Sequence, residues 1–414
     1  MRMLKNLRVT VSVSTAIMAL AAMVAVPAGA ATSTTDPSLA SDTTIAGPAT
    51  IAGAGSTFDA PLITAAQAIY ATRNGNATLS SYQAIGSGGG QTDIATGLVN
   101  FGASDVPMKQ SDLSAMSHLS GAESSISSYV QVPVALGGVA MGYHLPSITQ
   151  NKVFKKIGLR LTGTILAKIY SGAITKWNDK AICNDNPGLV IVKRNAAHKI
   201  ISSTCALPNH TITVVARSDG SGTTYAFTNF MNDVAPKLWP NVSKSEIALP
   251  SNGVNEPGNA GVAAEVANNA YTLGYIEYSY LLLNHGIAAA AVLNAAGDYL
   301  QPSPAGVAAA AAQKPNVTST NYDINFQKGA TSYPISTYSW VIVRVEQQGV
   351  AKSQVEATLL VKFLDWLSHS SGVTGTLAGQ DVAGEQAYVP LPANIQALAH
   401  SELLKVTYGG KPIL

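Results

Sequence analysis

Residues 214–230, VVARSDGSGTTYAFTNF, contain the pattern that decides the fold. The apolar, β-branched run 212–215 predicts a buried strand, and residues 223–231 have the pattern of a helix. Between them, Gly220 and Gly222 allow the backbone to turn and to approach a ligand closely. A strand, a loop and a helix start in this order are typical of an α/β protein that binds an anion at the helix N-terminus.

The side chains of this loop favour an oxyanion. The unpaired amides of the helix start and the hydroxyls of Ser221 and Thr223 are hydrogen-bond donors. Arg217, at the end of the strand, adds a planar donor fork that matches phosphate or sulfate, and Asp219 is placed to hold that guanidinium. The alternative is a plain turn whose Ser and Thr only cap the helix.

Two further loops have the same design. Residues 53–58, GAGSTF, precede a helical pattern at 61–71, and residues 85–90, IGSGGG, lie between a strand-like run at 77–83 and a helical pattern at 91–98. Asp105 follows another predicted strand, in the stretch GASDVP. The alternative for Asp105 is a turn or N-cap aspartate before a helix at 109–116.

The N-terminus has the features of a secretory signal peptide. Arg2, Lys5 and Arg8 precede the apolar core 16–26, and PAGA at 27–30 offers a cleavage site. We expect cleavage after Ala30, a flexible Ser/Thr-rich tail over 31–47, and a mature protein in the periplasm or secreted, with no lipid anchor and no membrane span.

Charge and composition exclude several classes of function. Loss of Arg2, Lys5 and Arg8 takes 25 Lys and Arg to 22, against 23 Asp and Glu, so the formal net charge changes from +2 to −1. No basic field remains for nucleic acid. With 47% hydrophobic and 12% charged residues over 414 positions, the chain is long enough for two domains.

Cys183 and Cys205 are the two cysteines of the chain. In an exported protein we expect them to form one disulfide, and two buried free thiols are the alternative. The cysteines and the histidines lack the spacing of a metal site, so we expect no metal and no cofactor. An enzyme is disfavoured as well, because Ser87 and Ser221 lack G-x-S-x-G flanks and the chain contains no P-loop motif.

Two long apolar runs, 130–143 and 333–343, predict central strands that pass between two halves of the molecule. The Ala-rich stretches 288–296 and 305–312 are interpreted as small-residue helix and loop.

Seven stretches resemble the PstS family, the periplasmic phosphate-binding proteins of ABC importers, in the same order across roughly the whole mature chain. They are AGAGSTFDAP, YQAIGSGGG, VNFGASDVP, IYSGAITKWND, VVARSDGSGTTYAFTNFM, LGYIEYSY and SYPISTYSW. The resemblance implies an α/β, type II-like periplasmic binding protein fold with two lobes, two crossover strands and the ligand in the cleft. Lobe I is expected at 48–144 and 331–414, and lobe II at 145–330.

The resemblance also implies the site. It makes Asp105 an acceptor from phosphate, Asp219 the residue that orients the arginine, and seven residues donors to phosphate, namely Thr57, Phe58, Ser87, Arg217, Ser221, Gly222 and Thr223. The implied partners are inorganic phosphate and an inner-membrane ABC permease, and the protein is expected to be a monomer. A secreted phosphate binder without a transporter, or a receptor for another tetrahedral oxyanion such as sulfate, remains the alternative.

Two residues depart from the family pattern. Asp59 stands where the family commonly has proline, next to the first anion loop, and we expect its carboxylate to face solvent. Gly88 replaces a serine that is common beside Ser87, so one hydroxyl is expected to be missing there. The 183–205 loop is longer than usual, and the sequence assigns it no role.

Overall fold

The computed structural model describes residues 47–73, 77–146, 158–372 and 377–414. The expected signal peptide at 1–30 and all but the last residue of the expected tail lie outside the described residues.

The chain alternates strands and helices, as an α/β protein does. The helices are α1 Ala60–Arg73, α2 Ser87–Thr96, α3 Gln110–Met116, α4 Gly163–Tyr170, α5 Lys180–Asp185, α6 Gly222–Val234, α7 Gly258–Asn268, α8 Tyr278–Leu283, α9 Pro304–Ala312, α10 Gln354–Ser368, α11 Gly379–Glu385 and α12 Ala393–Leu403. The strands are β1 Ala49–Ile51, β2 Gly53–Gly55, β3 Ala77–Leu79, β4 Phe101–Ser104, β5 Tyr129–His144, β6 Arg160–Leu161, β7 Val190–Arg194, β8 Ile200–Cys205, β9 Thr213–Arg217, β10 Val254–Glu256, β11 Thr272–Glu277, β12 Ala288–Ala289, β13 Ala291–Leu293, β14 Tyr299–Leu300, β15 Ser336–Arg344, β16 Thr407–Tyr408 and β17 Lys411–Pro412.

An eight-stranded sheet connects the two halves of the protein. Its order is β10-β9-β11-β5-β15-β4-β2, and β12 also pairs with β5. The 16-residue β5 is the element that both halves share, because it pairs antiparallel with β15 along residues 129–138 and with β11 along residues 139–144. The two apolar runs therefore form long central strands, as predicted. The lobe boundaries stay a prediction, since this sheet runs through both halves without interruption.

A β-bulge interrupts the pairing of β5 with β15. Pro133 pairs with Trp340 while Ala135 pairs with Ser339, so Val134 is the extra residue on β5. Proline has no amide to donate to a sheet ladder, and a bulge is one of the places that tolerate it. The bulge therefore places an irregularity in the ladder next to Ser339.

The predicted strand, loop and helix around Arg217 are confirmed as β9, residues 218–221 and α6. The second glycine loop is shorter than predicted, because α2 begins at Ser87 and includes Gly88 to Gly90. A Cβ on Gly90 would lie 2.5 Å from Gly55 Cα and 2.7 Å from the Ala103 carbonyl oxygen. Glycine at position 90 thus lets α2 pack directly on β2 and β4.

The helical interpretation of residues 288–296 is wrong. Residues 288–289 and 291–293 form β12 and β13, which pair with β5 and with β6 and β14. Alanine is compatible with either structure, and the neighbouring strands decide between them. The second Ala-rich stretch is a helix, α9, as predicted.

The disulfide expected between Cys183 and Cys205 is present, and it joins α5 to the end of β8. The alternative of two free thiols is therefore wrong. Strands β7 and β8 form a separate two-stranded hairpin whose residues are mostly exposed, so the bridge fastens the base of this hairpin to α5. No helix within the described ranges is both long enough and apolar enough to cross a bilayer.

Candidate functional site

Arg217 is the last residue of β9, and its side chain is 1% exposed. Its Nε donates to Asp219 Oδ1 over 2.7 Å, and its Nη2 donates to Asp219 Oδ2. Asp219 Oδ1 also accepts from the Gly258 amide over 3.0 Å, which fixes the carboxylate from α7. This geometry is the one that the predicted role of Asp219, orienting the arginine, requires. The remaining guanidinium nitrogen, Nη1, lies 3.4 Å from Thr223 Oγ1.

The first turn of α6 lies beside this guanidinium. Ser221 is the N-cap, and its Oγ accepts from the Thr224 amide over 3.0 Å. The Gly222 amide donates to Ser87 Oγ over 3.1 Å. A Cβ on Gly222 would lie 2.3 Å from Asp105 Cβ, so only glycine permits α6 to start this close to Asp105.

The loop after β2 brings further groups to the same place. Asn259 donates to Thr57 Oγ1 from its amide over 3.1 Å and from its Nδ2 over 2.9 Å. Asn259 Nδ2 also contacts Thr223 Oγ1 at 3.2 Å. The Phe58 amide donates to Ser56 Oγ over 2.9 Å, and Ser56 Oγ donates to Asp105 Oδ1 over 2.5 Å.

Hydrogen bonds link most of the residues that the sequence singled out, in two networks. Asp105 is joined to Phe58 through Ser56 and to Gly222 through Ser87, and Arg217 is joined to Asp219, to Thr223 and, through Asn259, to Thr57. Ser221 lies beside them as the N-cap of α6. We call the following set the central cluster: Thr57, Phe58, Ser87, Asp105, Arg217, Asp219, Ser221, Gly222 and Thr223. It contains one guanidinium, two helix starts, several hydroxyls and two carboxylates. Such a set binds a small anion through donors while keeping an acceptor available.

Asp105 is 1% exposed and is not the N-cap of α3, which is Lys109. Its Oδ1 accepts from the hydroxyls of Ser56 and Ser339, the latter over 2.7 Å. Burial raises the pKa of Asp105 to about 6, and the hydroxyl donors and the Arg217 charge oppose that rise. The pKa of the carboxyl group that the sequence assigned as an acceptor therefore lies close to neutral pH.

The expectation that Asp59 faces solvent is wrong. Its side chain is fully buried, and Asp59 Oδ2 lies 2.8 Å from Ser339 Oγ. Burial, followed by the nearby charge of Asp105, raises the pKa of Asp59 well above its ordinary value. A carboxyl group can be buried beside an anion loop without repelling the anion when it is neutral and hydrogen-bonded, which is the physical reason for the correction.

Close packing accounts for the glycine at position 88, where the sequence indicated only a missing hydroxyl. Its amide donates to the Gly220 carbonyl over 3.0 Å, and a Cβ at position 88 would lie 3.1 Å from Gly220 Cα. The first turn of α2 and the loop before α6 thus meet backbone to backbone at this position.

Sequence reasoning missed Ser56, Asn259, Glu277 and Ser339. All four are buried, and three of them lie within the quoted stretches AGAGSTFDAP, LGYIEYSY and SYPISTYSW. Asn259 lies outside those stretches, in GNAG at 258–261. For those three residues the position inside a recognised motif was the available signal. The partners of all four lie more than 100 positions away or in another element.

Glu277 ends β11, next to the cluster. Its Oε2 accepts from the Ser279 amide over 2.9 Å and from the Ser279 hydroxyl. The Tyr388 hydroxyl lies 3.5 Å from the same oxygen and also donates to the Phe58 carbonyl. Burial raises the pKa of Glu277 to about 8, so this carboxyl is protonated at neutral pH.

A second group of side chains brings together Asp365, His369 and His400, whose donor atoms lie within 4.8 Å of one another and could hold a metal ion. The sequence did not suggest it, because His400 comes from a different helix. The groups hydrogen-bond among themselves: His369 Nδ1 to the Asp365 carbonyl over 2.6 Å, and His400 Nδ1 to Asp365 Oδ1 over 2.9 Å. The second of these bonds fastens α12 to α10.

Comparison with known proteins gives one family and one fold. A family model described as a PBP superfamily domain matches residues 27–370. The chain is 36% identical over 344 residues to the phosphate-binding protein PstS of Xylella fastidiosa, covering 83% of this chain and 81% of that protein. It is 34% identical over 346 residues to PstS of Pasteurella multocida, covering 83% and 86%.

A solved structure of a phosphate-binding protein from Stenotrophomonas maltophilia superposes with a TM-score of 0.61 at 18% identity, covering 85% of this chain and 93% of that one. At this sequence identity the structural similarity is evidence for the fold alone. It confirms the expected two-lobe periplasmic binding protein fold.

Proposed function

The chain belongs to the PstS family of phosphate-binding proteins, and on that premise we propose that it binds inorganic phosphate with high affinity at the central cluster and delivers it to an ABC-type import permease. The observation that carries the assignment of the site is the meeting of the first turns of α2 and α6 at the Gly222–Ser87 bond, with the Arg217 guanidinium beside Thr223 of α6. Helix N-termini and a fixed guanidinium are the protein groups best suited to a phosphate group.

In this proposal each residue of the central cluster has a separate role. Arg217, held by Asp219, supplies the charged donor fork. The donor hydroxyls and amides are those of Thr57, Phe58, Ser87, Ser221, Gly222 and Thr223. Asp105 accepts a hydrogen bond from the O–H that phosphate carries at neutral pH. Because the mature chain has a formal charge of −1, these local hydrogen bonds supply the attraction, with no contribution from a long-range positive field.

Binding requires the two halves to separate and close again. In the present structure the Gly222 amide is paired with Ser87, and Asn259 is paired with Thr57, so donors of both halves are in direct contact. A phosphate ion that enters takes over such donors. The hinge of this motion is placed in β5 and β15, the strands on which both halves converge.

Transport with no catalytic step is part of the proposal, and so is the location of the mature protein in the periplasm or outside the cell. The relatives are named phosphate-binding proteins, which supports binding as the function. The charge, core and cleavage pattern of residues 1–30 support export. A monomeric state is likewise proposed.

The test is calorimetric titration of the purified mature chain with phosphate, with sulfate in parallel at the same ionic strength. We expect one phosphate per chain with a dissociation constant of about 1 µM or lower, equivalent to at least about 8 kcal/mol. Absence of phosphate binding, or equal binding of sulfate, overturns the proposal. A pull-down that retains the permease separates a transport component from a phosphate binder that acts alone.

A further inference from the structure

Ser339 bridges two buried carboxyl groups. Its Oγ lies 2.7 Å from Asp105 Oδ1 and 2.8 Å from Asp59 Oδ2. A serine hydroxyl has one hydrogen, so it donates to one of these oxygens only. The second contact is a hydrogen bond only when the other carboxyl group brings a proton of its own.

The surroundings decide which carboxyl group holds that proton. Asp105 receives two hydroxyl donors on Oδ1 and lies near the charge of Arg217, and both stabilise its ionised form. Asp59 is fully buried, and among the described residues none hydrogen-bonds to its Oδ1. An ionised carboxylate with an unpaired oxygen in such a place costs far more than a neutral acid.

The other titratable groups that face Asp59 from neighbouring elements add no positive charge. They are Asp105 after β4, Glu277 at the end of β11, Tyr82 before α2, Tyr280 in α8 and Tyr388 after α11. Burial raises the pKa of Asp59, and the nearby Asp105 and Glu277 raise it further. The hydrogen bond to Ser339 lowers this pKa but does not outweigh burial.

We propose that Asp59, as a neutral carboxylic acid, is a positioning residue of the anion site: it donates its proton to Ser339 Oγ, and the Ser339 hydroxyl in turn donates to Asp105 Oδ1. The direction of both hydrogen bonds is then fixed. This inference rests on the proposed function, and it concerns a residue at which this chain departs from the common proline of the family.

The arrangement determines which oxygen of Asp105 meets the ligand. Oδ1 is occupied by the hydroxyls of Ser56 and Ser339. Oδ2 faces the start of α6, where a Cβ on Gly222 would lie 2.4 Å from it. Asp105 Oδ2 is therefore the oxygen that accepts the O–H of bound phosphate, and Asp59 holds it in that orientation through Ser339.

Three variants separate the neutral acid from its alternatives. Asp59→Asn keeps an N–H donor for Ser339 and has no ionised form, whereas Asp59→Ala removes the donor. Ser339→Ala removes the group through which Asp59 acts. Calorimetric phosphate titrations of the wild type, the three single variants and the Asp59→Ala/Ser339→Ala double variant are done near pH 7 and at fixed ionic strength.

We expect Asp59→Asn to bind phosphate within about twofold of wild type and Asp59→Ala to bind about tenfold or more weakly, since a positioning hydrogen bond is lost. In the Ser339→Ala background, Asp59→Ala has no further effect, because the two residues act through one contact. Infrared spectra of the folded proteins provide a second readout: the C=O stretching band of a protonated carboxylic acid is present in wild type and loses the Asp59 component in Asp59→Asn.

Several results overturn the inference. If Asp59→Asn binds phosphate tenfold more tightly than wild type, Asp59 is ionised in the native protein and repels the ligand. If Asp59→Ala equals Asp59→Asn in affinity, the donated proton does not position Asp105. If the infrared band is unchanged by Asp59→Asn, position 59 carries no proton. Should Asp59→Ala fail to fold, the Asn variant and Ser339→Ala still decide the matter. Failure of wild type to bind phosphate is a different outcome, which removes the proposed function and this inference together.

Discussion

The amide of Gly222 donates a hydrogen bond to Ser87 Oγ over 3.1 Å, although the two residues are 135 positions apart in the chain. Gly222 opens α6 and Ser87 opens α2, so two helix N-termini, one from each half, meet at this bond. Each N-terminus carries partial positive charge, and together they concentrate donors at one point. The contact also shows that the halves are drawn together in this structure.

Phosphate is expected to shift the protein from an open to a closed form of smaller radius of gyration, because the ion joins donors of both halves. Small-angle scattering with and without saturating phosphate measures this change. Arg217→Ala, which is expected to bind phosphate far more weakly, is the control and stays unchanged at a phosphate concentration that saturates only the wild type. A wild-type scattering curve that does not respond to phosphate contradicts the hinge in β5 and β15.

Replacement of Arg217 by alanine is expected to weaken phosphate binding by about 3 kcal/mol or more, the scale for removing one partner of a buried charged contact. The loss exceeds the charge alone, because the donor fork disappears and Asp219 is left without its partner. Asp219→Asn is the matched control, with a smaller loss of about 1 kcal/mol from impaired orientation. Calorimetry decides, and wild-type affinity in Arg217→Ala removes this residue from the site.

Asp105 is expected to separate phosphate from sulfate. Phosphate near neutral pH carries an O–H that donates a hydrogen bond to an ionised carboxylate, whereas sulfate sets acceptor against acceptor, a mismatch worth roughly 10⁴ to 10⁵ in discrimination. Asp105→Asn is expected to keep the fold, lose much of the phosphate preference and let sulfate compete. Competition titrations with both anions test this, and full discrimination by the Asn variant shows that the selectivity lies elsewhere.

Reduction of the Cys183–Cys205 disulfide is expected to lower the melting temperature and leave phosphate affinity nearly unchanged. The bridge closes a chain segment with a sequence separation of 22, which corresponds to about 3 kcal/mol in the loop-entropy estimate. The Cys183→Ser/Cys205→Ser variant is the control and should melt like the reduced protein. Two titratable thiols in the unreduced native protein contradict the prediction.

Glu277 is expected to make the protein less stable as pH rises. Its pKa is about 8 in the folded state against 4.5 as the ordinary value, so the folded state retains a proton that the unfolded state loses. The free energy of unfolding therefore falls between about pH 4.5 and about pH 8, and the contribution is complete only below that window. Glu277→Gln, which does not titrate, should show a shallower pH dependence in chemical denaturation. Parallel pH profiles for both proteins contradict the assignment.

The sequence predicted those parts of the site that depend on neighbouring residues. Arg217, its partner Asp219 and the start of α6 lie within six positions of one another, and the local pattern of strand, glycines and helix was sufficient. The orientation of Asp59 was beyond such reasoning, because its partner Ser339 is 280 positions away and lies beside a bulge. The Ala-rich strands β12 and β13 were missed for a related reason, since alanine takes the structure that its neighbours impose.

Strand β15 lies between β4 and β5 in the sheet, although it begins at residue 336, long after β4 ends at residue 104 and β5 ends at residue 144. Synthesis proceeds from the N-terminus, so β4 and β5 emerge long before the strand that separates them. Until residue 336 has been made, each presents an open edge that invites pairing with other chains. The first half thus completes its fold last, together with the second, and any nascent chain released before β15 is a candidate for aggregation.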